Sequence, residues 1–312
     1  MAVYTSVPSE MLAGFLARYD VGALVSAKGI AEGVENSNYL VETTGGRFIL
    51  TLYEKRVTPE DLPYFLGLTA HLSAAGLPVP APIADRQGRA LQRLSGRPAC
   101  LIEFLPGISV TRPEPGLAHA AGAALAQLHE AAADFPHDRA NALSLPGWQS
   151  LAEALGGGAA EIDAGLPVLI AEELAALSDL WPRSLPQGTI HADLFPDNVL
   201  ALDDSVSGII DFYFACTDFL AYDLAVAHTA WCFDAEGAYL GTDVSDALIA
   251  GYQGVRPLSP AESRAFPLLC RGASLRFLLT RAYDWLNTPA GALVTRKDPM
   301  AFARRLLHYR AS

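Results

Sequence analysis

Apolar residues recur at helical spacing in "SEMLAGFLARY", where Met11, Leu12, Phe15, Leu16 and Tyr19 share one stripe behind Ser9. That pattern predicts an amphipathic helix over 9–19. The period then shortens to two. "NYLVET" and "RFILTLYE" are rich in β-branched and aromatic residues and flank "TTGG", which predicts a β-hairpin with another strand ahead of it. Residues 59–76 read as a helix despite Pro63, and "LPVPAPIADRQGRALQRLSGRPACLIEFLPG" returns to short strands punctuated by Gly and Pro. From "GLAHAAGAALAQLHEAAA" onward helical patterns dominate, with long segments expected near 168–181, 217–233, 245–253, 261–287 and 298–310. "GGGAA" at 156–160 reads as a loop or frayed connection. The change of character falls at "EFLPG", so the expectation is an α+β, bilobal chain: a sheet-rich N-lobe over 1–104 and a mainly helical C-lobe over 105–312.

A length of 312 residues with 51% hydrophobic content supports cores of that size and excludes general disorder. The formal net charge of -12 leaves no broad basic surface, so nucleic acid is not an expected partner. A small phosphate-bearing ligand stays open, because a few local cations, backbone N–H groups and a metal ion suffice to hold one. Cys100, Cys216, Cys232 and Cys270 form no C-x-x-C pair and have no histidine at zinc-site spacing; free buried thiols in a reducing cytoplasm are expected. The first twenty residues lack a basic start followed by an apolar core, and later apolar stretches are broken before bilayer length, so neither export nor a membrane partner is expected. Nothing in the pattern fixes an oligomeric state.

The densest chemistry lies in "HADLFPDNVL", residues 191–200, answered by "SGIIDFYF". Read as H-x-D-x-x-x-x-N, the run has the spacing of a protein-kinase catalytic loop, with a second acid following at Asp211. In phosphoryl transfer such an Asp193 takes the proton of an attacking hydroxyl, while Asn198 and Asp211 hold Mg²⁺ against nucleotide phosphates. A neutral amide oxygen ligates a hard cation without adding charge beside the phosphates, and a carboxylate neutralises charge as it builds. His191 is read as a residue that orients the loop, Asp197 as a loop acid, and Asp223 in "YDLA" as a helix cap or brace. Gly29 and Gly33 in "GIAEGVENSN" allow close backbone approach to a ligand, although the segment is not a G-x-G-x-x-G and such loops are more often plain turns.

The combination of "CLIEFLPG", "GAALAQLHE", "HADLFPDN", "IIDF" and "AYDLAVA" resembles the aminoglycoside phosphotransferase and choline kinase type of small-molecule kinase, over nearly the whole chain. A small residue, Ala192, stands where the protein-kinase loop has Arg. The resemblance implies a protein-kinase-like fold, ATP as co-substrate and Mg²⁺ as cofactor. It implies that the Glu103 carbonyl and Leu105 N–H meet the adenine edge, and that Gly33, Val34, Glu35 and Asn36 lie over the phosphates. One position departs: Thr51 occupies the third-strand site where a Lys or Arg is expected. Arg47 and Lys55 share its strand face, but Lys55 is four residues away, about 13 Å at ~3.3 Å per residue; Lys28 is another possible cation.

"EGVENSNYLVETTGGRFILTLYEKR", "HLSAAGLPVPAPI" and "RGASLRFLLTRAYDW" look like the homoserine kinase branch of this family, in which a Thr appears in the "TLYE" context. The implied reaction phosphorylates the side-chain hydroxyl of L-homoserine. Such an acceptor needs a cation for its carboxylate and an anion for its ammonium. Arg276 or Arg281 could supply the first and Asp284 the second, while the alternative for Arg281 and Asp284 is an ordinary intrahelical ion pair. Asn38 and Tyr213 are further pocket residues unless they are plain hairpin or core structure. Competing readings are a kinase for an aminoglycoside or choline-like alcohol, and a non-catalytic nucleotide-binding protein. A protein kinase is disfavoured, because "DFYFACTDFLAYDLA" leaves no room for a long activation segment.

Overall fold

The computed structural model describes residues 5–30, 36–54, 58–288 and 296–311. Two compact units emerge: residues 1–107 with 208–213, and residues 108–207 with 214–312.

In the first unit, helix α1 (Ser9–Leu16) is followed by strands β1 (Leu24–Gly29), β2 (Asn36–Thr43) and β3 (Gly46–Tyr53). Helix α2 (Leu62–Ala74) and strands β4 (Pro82–Ile83), β5 (Leu91–Leu94) and β6 (Arg97–Glu103) complete it. The sheet runs β1-β2-β3-β6-β4 with β5 added on β6. Thr43 pairs with Gly46 across a two-residue turn, so the expected hairpin forms and its register sets Asn38 opposite Thr51. Pro63 does not interrupt α2: it sits in the first turn, where the missing N–H is no loss, and a short 3₁₀ turn, Pro59–Asp61, leads in. Leu12, Phe15 and Leu16 of α1 pack with Val41, Leu50, Leu52 and Leu101 of the sheet, the core that the alternating pattern required.

The second unit begins with β7 (Ile108–Ser109), then helices α3 (Pro115–Ala131), α4 (Leu145–Leu155), α5 (Ala159–Ile162) and α6 (Leu166–Leu180). Strands β8 (Gln187–Ile190), β9 (Val199–Leu202), β10 (Ser205–Ile209, its last two residues assigned to the first unit) and β11 (Cys216–Phe219) follow, and helices α7 (Leu220–Trp231), α8 (Thr242–Val255), α9 (Pro260–Asn287) and α10 (Met300–Ala311) close the chain. The helix expected from 217 starts later, because Cys216–Phe219 pair antiparallel with β8 instead. Helix α4 was not anticipated, and its buried Trp148 stacks edge-on against Trp181, ring centroids 5.0 Å apart. Helix α9 opens with a complete capping box, Ser259 and Glu262 satisfying each other's backbone N–H groups. Helices α3 and α8 cross with backbones nearly touching: a Cβ on Gly122 would lie 2.1 Å from the Leu248 carbonyl oxygen, and one on Gly251 2.0 Å from that of His119. All four cysteines are free and buried. No described helix is long and apolar enough to cross a membrane.

Helix α7 is buried from Ala221 to Trp231 and carries His228, whose ring nitrogens lie 2.6 Å from the Tyr309 hydroxyl and 2.7 Å from Ser245 Oγ. Burial, followed by the charge of His308, pushes its pKa from 6.5 down to about 4. The native imidazole therefore resists a proton that the unfolded chain accepts. Stability from this group is complete above pH 6.5 and falls as pH drops from 6.5 to 4, by up to about 3 kcal/mol. Urea titrations across that range should show the loss, and His228→Gln should flatten that part of the profile.

Candidate functional site

The loop following β8 is tied down residue by residue. His191 is fully buried and its Nδ1 accepts the Asp193 N–H at 3.2 Å, which serves the orienting role expected of it. Phe195 N–H donates to the Asp193 carbonyl at 2.8 Å, and Trp231 Nε1 donates to that of Leu194 at 3.0 Å. Asn198 Nδ2 donates to the Asp193 carbonyl at 2.8 Å and to its Oδ2 at 3.1 Å. The structure thus brings Asp193 and Asn198 into direct contact.

Asp223, read from sequence as a cap or brace, braces this loop. It is fully buried; Oδ2 accepts the His191 N–H and Oδ1 the Ala192 N–H, both at 2.7 Å. On its other side His129 Nε2 of α3 lies 3.0 Å from Oδ2, and His129 Nδ1 lies 2.8 Å from the Tyr252 hydroxyl of α8. Burial alone would raise the Asp223 pKa. The His129 hydrogen bond and charge, the His191 charge and the loop N–H outweigh burial and hold it below the ordinary carboxylate value.

Ala192 has φ +62° and Asp211 has φ +66°. Non-glycine residues pay about 1–2 kcal/mol for a left-handed backbone, and such strain persists where surroundings over-determine it. The other two cases among described residues, Ser95 and Asp203, lie in the tight turns joining β5 to β6 and β9 to β10. Ala192 and Asp211 instead sit inside "HADLFPDNVL" and "SGIIDFYF", the two segments that the sequence paired. Asp211 itself lies in the first unit, two residues beyond the end of β10.

Three other expected site residues also meet in the first unit. Thr51 is buried and its hydroxyl donates to Asn38 Oδ1 at 2.8 Å. Tyr213 packs edge-on against Tyr53 and Phe65, with ring centroids 5.6 and 5.8 Å apart. Burial and Cys100 push its phenol pKa up, while hydrogen bonds with Tyr53 and Thr51 oppose the shift. Tyr53 in turn lies 3.0 Å from Cys100 Sγ, whose own pKa burial raises to about 12. The position expected to hold a cation is the centre of a neutral hydrogen-bonded cluster. Asn36 opens β2 buried, its Oδ1 accepting the Glu54 N–H at 3.4 Å. Glu103 ends β6 with its N–H on the Ala81 carbonyl at 2.9 Å, and Leu105 lies beyond the strand. Gly33, Val34, Glu35 and Lys55 lie outside the described residues.

On α9 the expected acceptor residues separate. Arg276 is 1% exposed; its guanidinium donates to the Ala192 carbonyl and lies 5.3 Å from the Phe214 ring centroid and 4.5 Å from that of Phe277. One of its guanidinium donors is thus engaged with the loop backbone. Arg281 is half-buried, stacks 4.4 Å from the Phe302 ring centroid and donates to the Asp298 carbonyl at 3.3 Å. Burial lowers its pKa to about 10 against the opposing charges of Asp193, Asp197 and Asp298, so it stays cationic at neutral pH. Asp284 is half-buried on the same helix. Asp197 pairs loosely with Lys297 at 3.7 Å, both side chains largely exposed.

The model of the phosphotransferase enzyme family matches residues 26–258, most of the chain. The chain belongs to that family. The phosphotransferase is 57% identical over 311 residues to a homoserine kinase of Azorhizobium caulinodans and to one of Xanthobacter autotrophicus, covering 100% of this chain and 97% of each relative. Among solved structures it resembles a spectinomycin phosphotransferase in complex with ADP and spectinomycin, TM-score 0.74 at 14% identity over 99% of both chains. The α+β kinase-like fold expected from the sequence is therefore the fold of the molecule, and the phosphotransferase is an ATP-dependent small-molecule kinase. Sequence reasoning missed His129, Tyr252 and the backbone role of Arg276. "LHE" at 128–130 places a histidine on a helix otherwise rich in Ala and Leu, which was the available signal for the first of these.

Proposed function

We propose that the chain transfers the γ-phosphoryl group of ATP to the side-chain hydroxyl of L-homoserine, giving O-phospho-L-homoserine on the route to threonine. The observation that carries this reading is the 57% identity to homoserine kinases, sustained from end to end. In this reading Asp193 accepts the hydroxyl proton as the acceptor oxygen bonds to the γ-phosphorus and the bond to the β–γ bridging oxygen breaks, releasing ADP.

The donor set suits Mg²⁺. Asn198 spends its amide nitrogen on Asp193, which leaves the amide oxygen as its metal-facing group, and Asp211 is a carboxylate held in a strained backbone. Few protein ligands are needed, since this ion commonly keeps waters and takes phosphate oxygens. When bound, the ion would neutralise charge on the nucleotide phosphates. Gly33, Val34, Glu35 and Asn36 are assigned to the phosphates, and the Glu103 carbonyl and Leu105 N–H to adenine. For the acceptor, Arg281 is assigned to the carboxylate and Asp284 to the ammonium. Arg281 is favoured for this role over Arg276, because the charge of Asp193 acts on its guanidinium and the residue is only half-buried.

ADP release from Mg·ATP, with L-homoserine, L-serine, L-threonine, choline and kanamycin offered separately, tests the proposal. The expected result is a large response to L-homoserine and little to the rest. A preference for another alcohol would move the substrate and keep the kinase. Silence across the panel with ATP still bound would leave a nucleotide-binding protein, with Thr51 as the leading cause.

A further inference from the structure

The peptide joining Ala192 to Asp193 is gripped from outside the loop. Its carbonyl oxygen accepts from the Arg276 guanidinium, while the preceding Ala192 N–H donates to Asp223 Oδ1 at 2.7 Å. Ala192 is held at φ +62° with 1% exposure, a conformation that an alanine does not keep without outside restraint. Rotation of this peptide moves the backbone on which the Asp193 side chain is mounted. Arg276 also reaches past the loop: its guanidinium lies over Phe214, three residues beyond Asp211 in the chain, and over Phe277 on its own helix. A buried guanidinium bonded to a carbonyl and flanked by two aromatic faces is a fixed strut, whereas a ligand for a soluble acceptor needs open donors.

We infer that Arg276 is a positioning residue for Asp193: it locks the 192–193 peptide in the left-handed bend and so fixes the carboxylate that accepts the acceptor's proton. The inference rests on the proposed role of Asp193. The strut comes from α9, 84 residues along the chain from the loop carbonyl that it holds.

A double-mutant cycle on the full chain decides the matter, with Arg276→Met, Asp193→Asn and the pair, each checked for folding by thermal melting. Arg276→Met is expected to lower kcat by about 10²-fold with KM for L-homoserine and for ATP within about threefold, the pattern of a transition-state defect. In the Asp193→Asn background the same change should alter the residual rate by less than about threefold, because there is no base left to position. Arg276→Lys, which retains charge and one donor, should recover part of the rate, and it takes the place of Arg276→Met in the cycle if the latter does not fold. An acceptor KM raised tenfold or more at unchanged kcat would make Arg276 a substrate ligand and overturn the inference. So would full multiplication of the two single effects, which would mark a general packing role. Failure of the underlying reading looks different: the parent would show no acceptor-dependent ADP release, or Asp193→Asn would turn over like the parent.

Discussion

Asp193→Asn is expected to lower kcat for acceptor-dependent ADP release by about 10²–10⁴-fold while leaving Mg·ATP affinity within about threefold. The size follows from the step removed. On the proposed mechanism general-base assistance is lost, yet the amide is nearly isosteric, and its oxygen can still accept from Asn198 Nδ2 as the carboxylate does at 3.1 Å. The loop is also held by contacts that do not involve this side chain, from His191, Trp231 and Asp223. Steady-state kinetics with nucleotide titration by calorimetry measures both quantities. Turnover equal to that of the parent would remove Asp193 from the chemistry. A matching collapse of nucleotide affinity would reassign it to binding.

Asp223→Ala should have the largest effect on stability, a loss of about 3–5 kcal/mol, because one partner of a buried charged network disappears and the others stay behind. The N–H groups of His191 and Ala192 would lose their acceptors, and His129 would keep only Tyr252. Ala192 would also lose one of the two contacts that hold its bend. Urea denaturation of the variant gives the number, and kcat measured well below the midpoint shows how far the loop has drifted. A loss under 1 kcal/mol with parental kcat would mean that the loop keeps its shape without this carboxylate.

Several of these relations were readable in the sequence and others were not, for physical reasons. Asp193 and Asn198 are five residues apart in one loop, so local spacing carried their association. The hairpin was equally local; its two-residue turn fixes the register, and that register makes Asn38 the cross-strand neighbour of Thr51. The partner of the anomalous threonine was therefore legible once the turn was counted. Asp223 showed itself as a brace, but what it braces lies 31 and 32 residues earlier, a distance over which periodicity says nothing. The loop contact of Arg276 was hidden for a related reason: helical spacing put it near Arg281 and Asp284 without telling which face of the helix meets the loop. Residues 217–219 read as helix because "TDFLAYDLA" runs unbroken into α7, and only the pairing of Cys216–Phe219 with Gln187–Ile190 separates strand from helix.

The near-contact of α3 and α8 at Gly122 and Gly251 has a consequence for engineering. His129 and Tyr252 ride on those two helices, and through them the spacing between the helices reaches the carboxylate that holds the bend at Ala192. The octapeptide from His191 to Asn198 is thus not portable. Grafted onto another scaffold with every residue intact, it would relax toward an ordinary turn unless the two glycine contacts and the arginine strut travelled with it. A designer who wants this chemistry elsewhere must move a helix crossing and not a motif.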